Sequence, residues 1–152
     1  MSTKRQTTQP NEKQPSVGKQ QHQLYQQALL AHHKKPVGFE QEINVDSQAE
    51  GYNSACGDEI SVAIEIEFNQ IKALSFHGDS CAICRASASL LCMHLAKLTK
   101  VEAAALSQQI VLSIEENITV IGELAEQFSP LLAVQKFPVR KQCAILPWTT
   151  FS

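Results

Sequence analysis

Glu59-Ile60-Ser61-Val62-Ala63-Ile64-Glu65-Ile66-Glu67-Phe68 sets Ile60, Val62, Ile64, Ile66 and Phe68 against Glu59, Ser61, Ala63, Glu65 and Glu67. A period of two puts the first group on an apolar face and the second on a mainly polar one, the pattern of a strand with one side against a core. Asn69-Gln70 reads as a tight turn, and Ile71 to His77, rich in branched and aromatic side chains, reads as the returning strand of an antiparallel hairpin. Gly78-Asp79-Ser80 then breaks that strand. The rest of the chain takes its place around this hairpin.

Downstream the period changes to that of helices. Cys81 opens a helix to about Lys97, with Asp79 or Ser80 as cap and Ala82, Ile83, Ala86, Leu90, Leu91 and Leu95 for its buried face. A second helix runs from Thr99 to about Ser113, where Thr99 and Glu102 form a capping box and Val101, Ala105, Leu106, Ile110 and Val111 fall at helical spacing. Ile118 to Phe128 predicts a short helix ended by Ser129-Pro130, and Leu131 to Val134 another turn or two. Pro138 suits the first turn of a last, short helix that carries Arg140, Cys143, Ile145 and Leu146 before Pro147 interrupts it. Upstream, residues 1–20 are polar with almost no apolar side chains, which cannot offset the entropy of ordering, so a disordered tail is expected. His22 to Lys34 carries Leu24, Tyr25, Ala28, Leu29 and His32 at helical spacing, with a stop at Pro36. Its His22, His32 and His33 read as surface or partly packed residues rather than ligands. Residues 37–51 read as irregular, with a short extended piece near Ile43 to Val45. The sum is an α+β domain over residues 21–152, with about three antiparallel strands packed against several helices.

A chain of 152 residues suits one domain with a proper core. Thirteen basic against fifteen acidic side chains, with no basic stripe interleaved with aromatics, leave no electrostatic footprint for nucleic acid. No apolar run reaches bilayer length and no apolar segment of a signal peptide opens the chain, so a soluble, cytoplasmic protein without membrane association is expected. In that compartment five cysteines point to metal binding or thiol chemistry rather than to a disulfide framework.

Cys56-Gly57-Asp58 lies just before the strongest strand, and Cys81 just after its hairpin partner. Because an antiparallel hairpin returns the chain to the end from which it started, Cys56, Asp58 and Cys81 should meet. Gly57 permits the backbone to aim thiol and carboxylate at one point, and a helix N-terminus favours the Cys81 thiolate. If Cys143 packs against the same end, the set is three thiolates and one carboxylate. Such a set suits tetrahedral zinc, and thiolates also suit an iron–sulfur cluster. Asp58, a hard oxygen donor among sulfurs, would make the site labile enough to exchange its metal or release a cluster.

Asn53-Ser54-Ala55-Cys56-Gly57-Asp58, then Gly78-Asp79-Ser80-Cys81-Ala82-Ile83 followed by Ala86-Ser87-Ala88-Ser89, then Phe137-Pro138-Val139-Arg140-Lys141-Gln142-Cys143-Ala144 resemble the three cysteine motifs of the IscU/NifU N-terminal family of iron–sulfur cluster assembly proteins. Cys81 and Cys143 stand 62 residues apart, which leaves room for the helical insertion typical of the SufU branch. Gln142 stands where IscU-like scaffolds carry histidine, and Lys136-Phe137-Pro138-Val139-Arg140 replaces the segment that IscU presents to its chaperone. The resemblance therefore implies a SufU-type protein that binds Zn2+ through Cys56, Asp58, Cys81 and Cys143. It also implies that Cys56 accepts persulfide sulfur from a SufS-type cysteine desulfurase, with Arg140 assisting. Two alternatives stay open. One is a scaffold that builds a [2Fe-2S] cluster from iron on Cys56, Cys81 and Cys143 and hands it to apo iron–sulfur proteins; the other is a small interaction domain with purely structural zinc.

The chain departs from the family pattern at Ser54, usually proline, and at Asp79-Ser80 before Cys81. Cys84, commonly serine in the family, creates a C-x-x-C with Cys81; an ordinary helix residue is expected there, with an auxiliary thiol or a thioredoxin-like pair as alternatives. Cys92 is expected in the core.

Overall fold

A computed structural model describes residue 27 and residues 29–151. The proposed tail, and the part of the first helix that holds His22, Leu24, Tyr25 and Ala28, lie outside the described residues. A helical segment, α1, covers residues 29–34. Three strands follow, β1 (Ser47–Asn53), β2 (Asp58–Glu67) and β3 (Gln70–His77), then α2 (Ala82–Leu95), α3 (Lys100–Glu115), α4 (Glu123–Gln127), α5 (Ser129–Leu132), a 3-10 turn (Ala133–Lys136) and α6 (Pro138–Phe151). The strands form one antiparallel sheet in the order β1-β2-β3. The α+β architecture with three strands is as expected.

The alternating segment forms the central strand, with Ile60, Val62 and Ile64 buried. Its turn sits one residue earlier than expected, at Phe68-Asn69, both with positive φ (53° and 62°). A two-residue hairpin turn of that kind twists with the strands it joins, and Asn tolerates the left-handed region. A register shift at Glu65/Ile66 pairs Glu65 with Ala73 and Ile66 with Ile71, leaving Lys72 as the extra residue of a bulge. Lys72 reaches back to Glu65 and Glu67, 3.5 and 3.1 Å away.

β1 lies after the extended piece expected near Ile43 to Val45. Ser47-Gln48-Ala49-Glu50-Gly51-Tyr52-Asn53 has no apolar alternation because it is an edge strand exposed along most of its length. Its backbone pairing with β2, from Ser47 opposite Ile64 to Asn53 opposite Asp58, places it. Gly51 is the close-approach point: a Cβ there would lie 1.9 Å from Thr150 Oγ1, so only glycine lets α6 pack onto this edge.

α2 and α6 run over the sheet, and α3 packs on α6. At their centre Trp148 and Phe128, both fully buried, meet edge to face with ring centroids 5.6 Å apart. The capping box on α3 is formed as expected, Thr99 Oγ1 accepting from the Glu102 amide and Glu102 Oε1 from the Thr99 amide. Its buried stripe is Ala103, Ser107, Ile110 and Ile114, whereas Val101 is exposed. Two sets of positions share the helical period, and the one bearing Ala and Ser permits the close approach. The helix expected over Ile118 to Phe128 is confined to Glu123–Gln127. Asn117 and Gly122 both take positive φ, and the β-branched run Ile118-Thr119-Val120-Ile121 has low helix propensity. α6 does not stop at Pro147 but continues to Phe151. The proline removes one intrahelical bond, a cost of about 3 kcal/mol in a free helix; here the burial of Pro147, Trp148 and Thr150 in the last turns offsets it. Among the described residues no helix is long and apolar enough to cross a membrane.

Candidate metal centre

The β1–β2 connection is the tight loop of residues 54–57. Asn53 Oδ1 accepts the Ala55 amide at 3.2 Å, which folds the loop back on itself, and Gly57 turns it with φ 72° into the first residue of β2. That residue, Asp58, is fully buried. Antiparallel pairing of β2 with β3 brings the end of β3 alongside, and the Glu59 amide donates to the Asp79 carbonyl at 3.0 Å. Gly78, with φ 130°, lies against this contact: a Cβ would sit 2.1 Å from the Glu59 carbonyl oxygen.

The chain then enters α2, and Cys81 itself is the N-cap, in place of Asp79 or Ser80. Its Sγ accepts from the Cys84 amide at 3.4 Å. The Cys81 amide, one of the donors a helix start leaves without a helical partner, donates to Asp58 Oδ1 at 2.7 Å. Cys81 Sγ stands 3.8 Å from Asp58 Oδ2. Asp58 therefore fixes the helix start and faces its thiol at once.

Cys143 arrives from the other side of the sequence, on the second turn of α6. It is fully buried, and its Sγ lies 2.8 Å from Cys56 Sγ, a thiol-to-thiol contact well beyond the roughly 2.05 Å of a disulfide. The ligand atoms of Cys56, Asp58 and Cys143 all fall within 4.8 Å of one another. Cys81 stands outside that tight trio and borders it through Asp58. Arg140, three residues before Cys143, is exposed, and no hydrogen bond or salt bridge joins its side chain to the group among the described residues. Gln142 is exposed beside it.

Three positioning residues carried no chemical signal in the sequence. Asn53 Nδ2 approaches Cys143 Sγ at 3.9 Å. Ser87, inside the second motif, donates to the Ala144 carbonyl and accepts from Trp148 Nε1 at 2.8 Å, locking α6 against α2 one residue past Cys143. Trp148 could have been found only as a large apolar residue with a donor to satisfy.

The electrostatics show what the group is suited to hold. Burial pushes the Cys143 thiol well above its ordinary pKa, and its hydrogen bond with Cys56 and the nearby Cys81 and Asp58 push the same way. No Lys, Arg or His side chain is hydrogen-bonded or ion-paired to Cys56, Asp58, Cys81 or Cys143 among the described residues. Two sulfurs and a carboxylate within 4.8 Å of one another, with the Cys81 sulfur at their edge and no positive charge paired to them, form a donor set that fits a thiophilic divalent cation. Cys84 is different: it is fully buried beneath Cys81, and burial first, then the charges of Asp58 and Cys81, raise its pKa. Cys92 lies in the core, its thiol pushed up to about 12 by burial.

Residues 24–143 match the NifU-like N terminal domain. The chain belongs to that family. Among its relatives, the iron–sulfur cluster assembly scaffold protein IscU of Thermotoga maritima is 32% identical over 84% of this chain and 89% of its own. The zinc-dependent sulfurtransferase SufU of Bacillus subtilis is 28% identical over 82% of this chain and 84% of its own. In structure, an iron–sulfur cluster assembly scaffold protein for the SUF system from Fervidobacterium islandicum superposes with a TM-score of 0.71 at 26% identity, covering 86% of this chain and 95% of that one. A NifU-like N-terminal protein from Brucella abortus shares the fold with the same TM-score at 16% identity, over 81% of this chain and 85% of its own.

Proposed function

We propose that the protein acts in iron–sulfur cluster assembly as a SufU-type, zinc-dependent acceptor of persulfide sulfur from a cysteine desulfurase. The observation that carries this reading is the convergence of Cys56, Asp58 and Cys143 within 4.8 Å, with Cys81 bordering Asp58. Those four residues would hold Zn2+, which when bound keeps coordinated thiols ionised at neutral pH. Cys56 is the acceptor: it is partly exposed on a loop tip, whereas Cys143 is buried. Its thiolate attacks the terminal sulfur of the desulfurase persulfide, forming the new S–S bond as the desulfurase cysteine leaves as thiolate. Asp58, Cys81 and Cys143 stay behind and hold the site together while Cys56 is engaged. Arg140 stands exposed on the first turn of α6, where it can pair with the incoming partner and assist that exchange. Gln142 in place of a histidine favours sulfur acceptance over cluster building.

A second reading, a scaffold on which a [2Fe-2S] cluster is assembled for apo iron–sulfur proteins, is favoured by the same three thiols and by the name of the Thermotoga relative. Metal analysis of the purified protein and sulfide release by a SufS-type desulfurase separate the readings. Bound zinc, and stimulation that Cys56→Ala abolishes, are expected. Protein without zinc that takes up iron and sulfide anaerobically into an oxygen-sensitive chromophore would overturn sulfur acceptance in favour of the scaffold. Cys81→Ala that lowers only the melting temperature would reduce the zinc to a structural role.

A further inference from the structure

The geometry points to Cys56 and Cys143 as a peroxide-responsive dithiol, a modification site that closes reversibly into a disulfide when the metal is absent. Their Sγ atoms are 2.8 Å apart, so bridging needs a closure of less than an ångström. The two ends differ as the two partners of such a pair should. Cys56 is partly exposed, on a loop whose next residue, Gly57, has open space around it, so a small oxidant reaches it and the loop can shift. Cys143 is fully buried on a helix locked through Ser87 and Trp148, so the oxidant does not reach it first. This chemistry belongs to the thiols alone and holds whichever reading of the metal is right.

The oxidant is a hydroperoxide. The Cys56 thiolate attacks the peroxide, the O–O bond breaks, and Cys56 becomes a sulfenic acid as an alcohol, or water from hydrogen peroxide, departs. Cys143 sulfur then attacks the Cys56 sulfur, the S–O bond breaks, and the hydroxide leaves with the Cys143 proton as water. Two electrons have passed from the thiol pair to the peroxide. A dithiol reductant returns them by two exchange steps. Bridge and cation compete for the same two sulfurs, so oxidation takes two donors out of the site while sparing Cys56 irreversible oxidation.

The test treats the full-length, chelator-stripped protein with stoichiometric hydrogen peroxide, alkylates the remaining thiols and maps the peptides by mass spectrometry. The expected result is a loss of about 2 Da in the intact chain before alkylation and a cross-linked peptide joining Cys56 to Cys143, both reversed by dithiothreitol, with alkyl label confined to Cys81, Cys84 and Cys92 when the remaining thiols are blocked in denaturant. In Cys143→Ser the first equivalent leaves Cys56 as a sulfenic acid and a second equivalent carries it on to the sulfinic acid, which dithiothreitol does not restore, whereas the unsubstituted protein given the same two equivalents remains restorable. A bridge between Cys81 and Cys84 instead, or irreversible oxidation of Cys56 in the unsubstituted protein without bridging, overturns the inference; both are read without any variant having to fold.

Discussion

Replacing Asp58 with asparagine and with alanine separates its two tasks. The carboxylate is fully buried and accepts the Cys81 amide at 2.7 Å while facing the Cys81 thiol at 3.8 Å. Asp58→Asn would keep an acceptor oxygen in nearly the same place but lose the charge and most of the capacity to ligate a cation. Asp58→Ala would lose both and leave the part-buried Cys81 amide at the start of α2 without its acceptor, a loss of about 1–2 kcal/mol. In excess chelator Asp58→Asn is therefore expected to exceed Asp58→Ala in stability by about 1–2 kcal/mol. For a domain of this size that separates their melting temperatures by roughly 3–8 °C. Differential scanning calorimetry with chelator reads this term, and zinc competition against a chromogenic chelator reads the other, where both variants should bind far more weakly than the parent. Equal melting temperatures for the two variants would refute the role given to the Asp58–Cys81 hydrogen bond. Undiminished zinc affinity in Asp58→Asn would remove the carboxylate from the ligand set.

Gly78→Ala should destabilise the fold by more than about 2 kcal/mol in urea denaturation, because its Cβ meets the Glu59 carbonyl at 2.1 Å in a backbone with φ 130°; a smaller loss would show that the β3–α2 junction can move. Trp148→Phe should cost about 1–2 kcal/mol in the same assay by deleting the 2.8 Å bond to Ser87 that holds α6 beside the site, and a neutral outcome would assign the locking of α6 to packing alone. Burial lowers the pKa of His32 and, together with the charge of His32, that of His94. A base whose folded pKa lies below its unfolded value of about 6.5 takes up its proton more readily in the unfolded chain, so this contribution to stability is complete above that pH and is lost as pH falls through the folded values. Chemical denaturation between pH 7.5 and 5 should show that decline, and His32→Asn should flatten it; an unchanged slope in the variant would exclude His32 as a source.

The sequence by itself determined the hairpin, the capping box and the order in which Cys56, Asp58, Cys81 and Cys143 appear, because each rests on local chemistry: a period of two, a hydroxyl three residues ahead of a glutamate, a glycine between a thiol and a carboxylate. It also placed Cys56, Asp58 and Cys81 at one end of the sheet, since an antiparallel hairpin leaves no other geometry. Only the tertiary structure decided β1, whose polar sequence is indistinguishable from a loop until β2 supplies the hydrogen bonds and Gly51 admits Thr150. The same holds for the length of α6, where burial of the turns around Pro147 outweighs a local signal to stop. Cys143 is the sharpest case. Nothing within several residues of it specifies 2.8 Å to Cys56; that distance follows from how α6 is seated on α2 by Ser87 and Trp148, and such long-range packing is set by the summed fit of distant side chains rather than by any stretch of sequence.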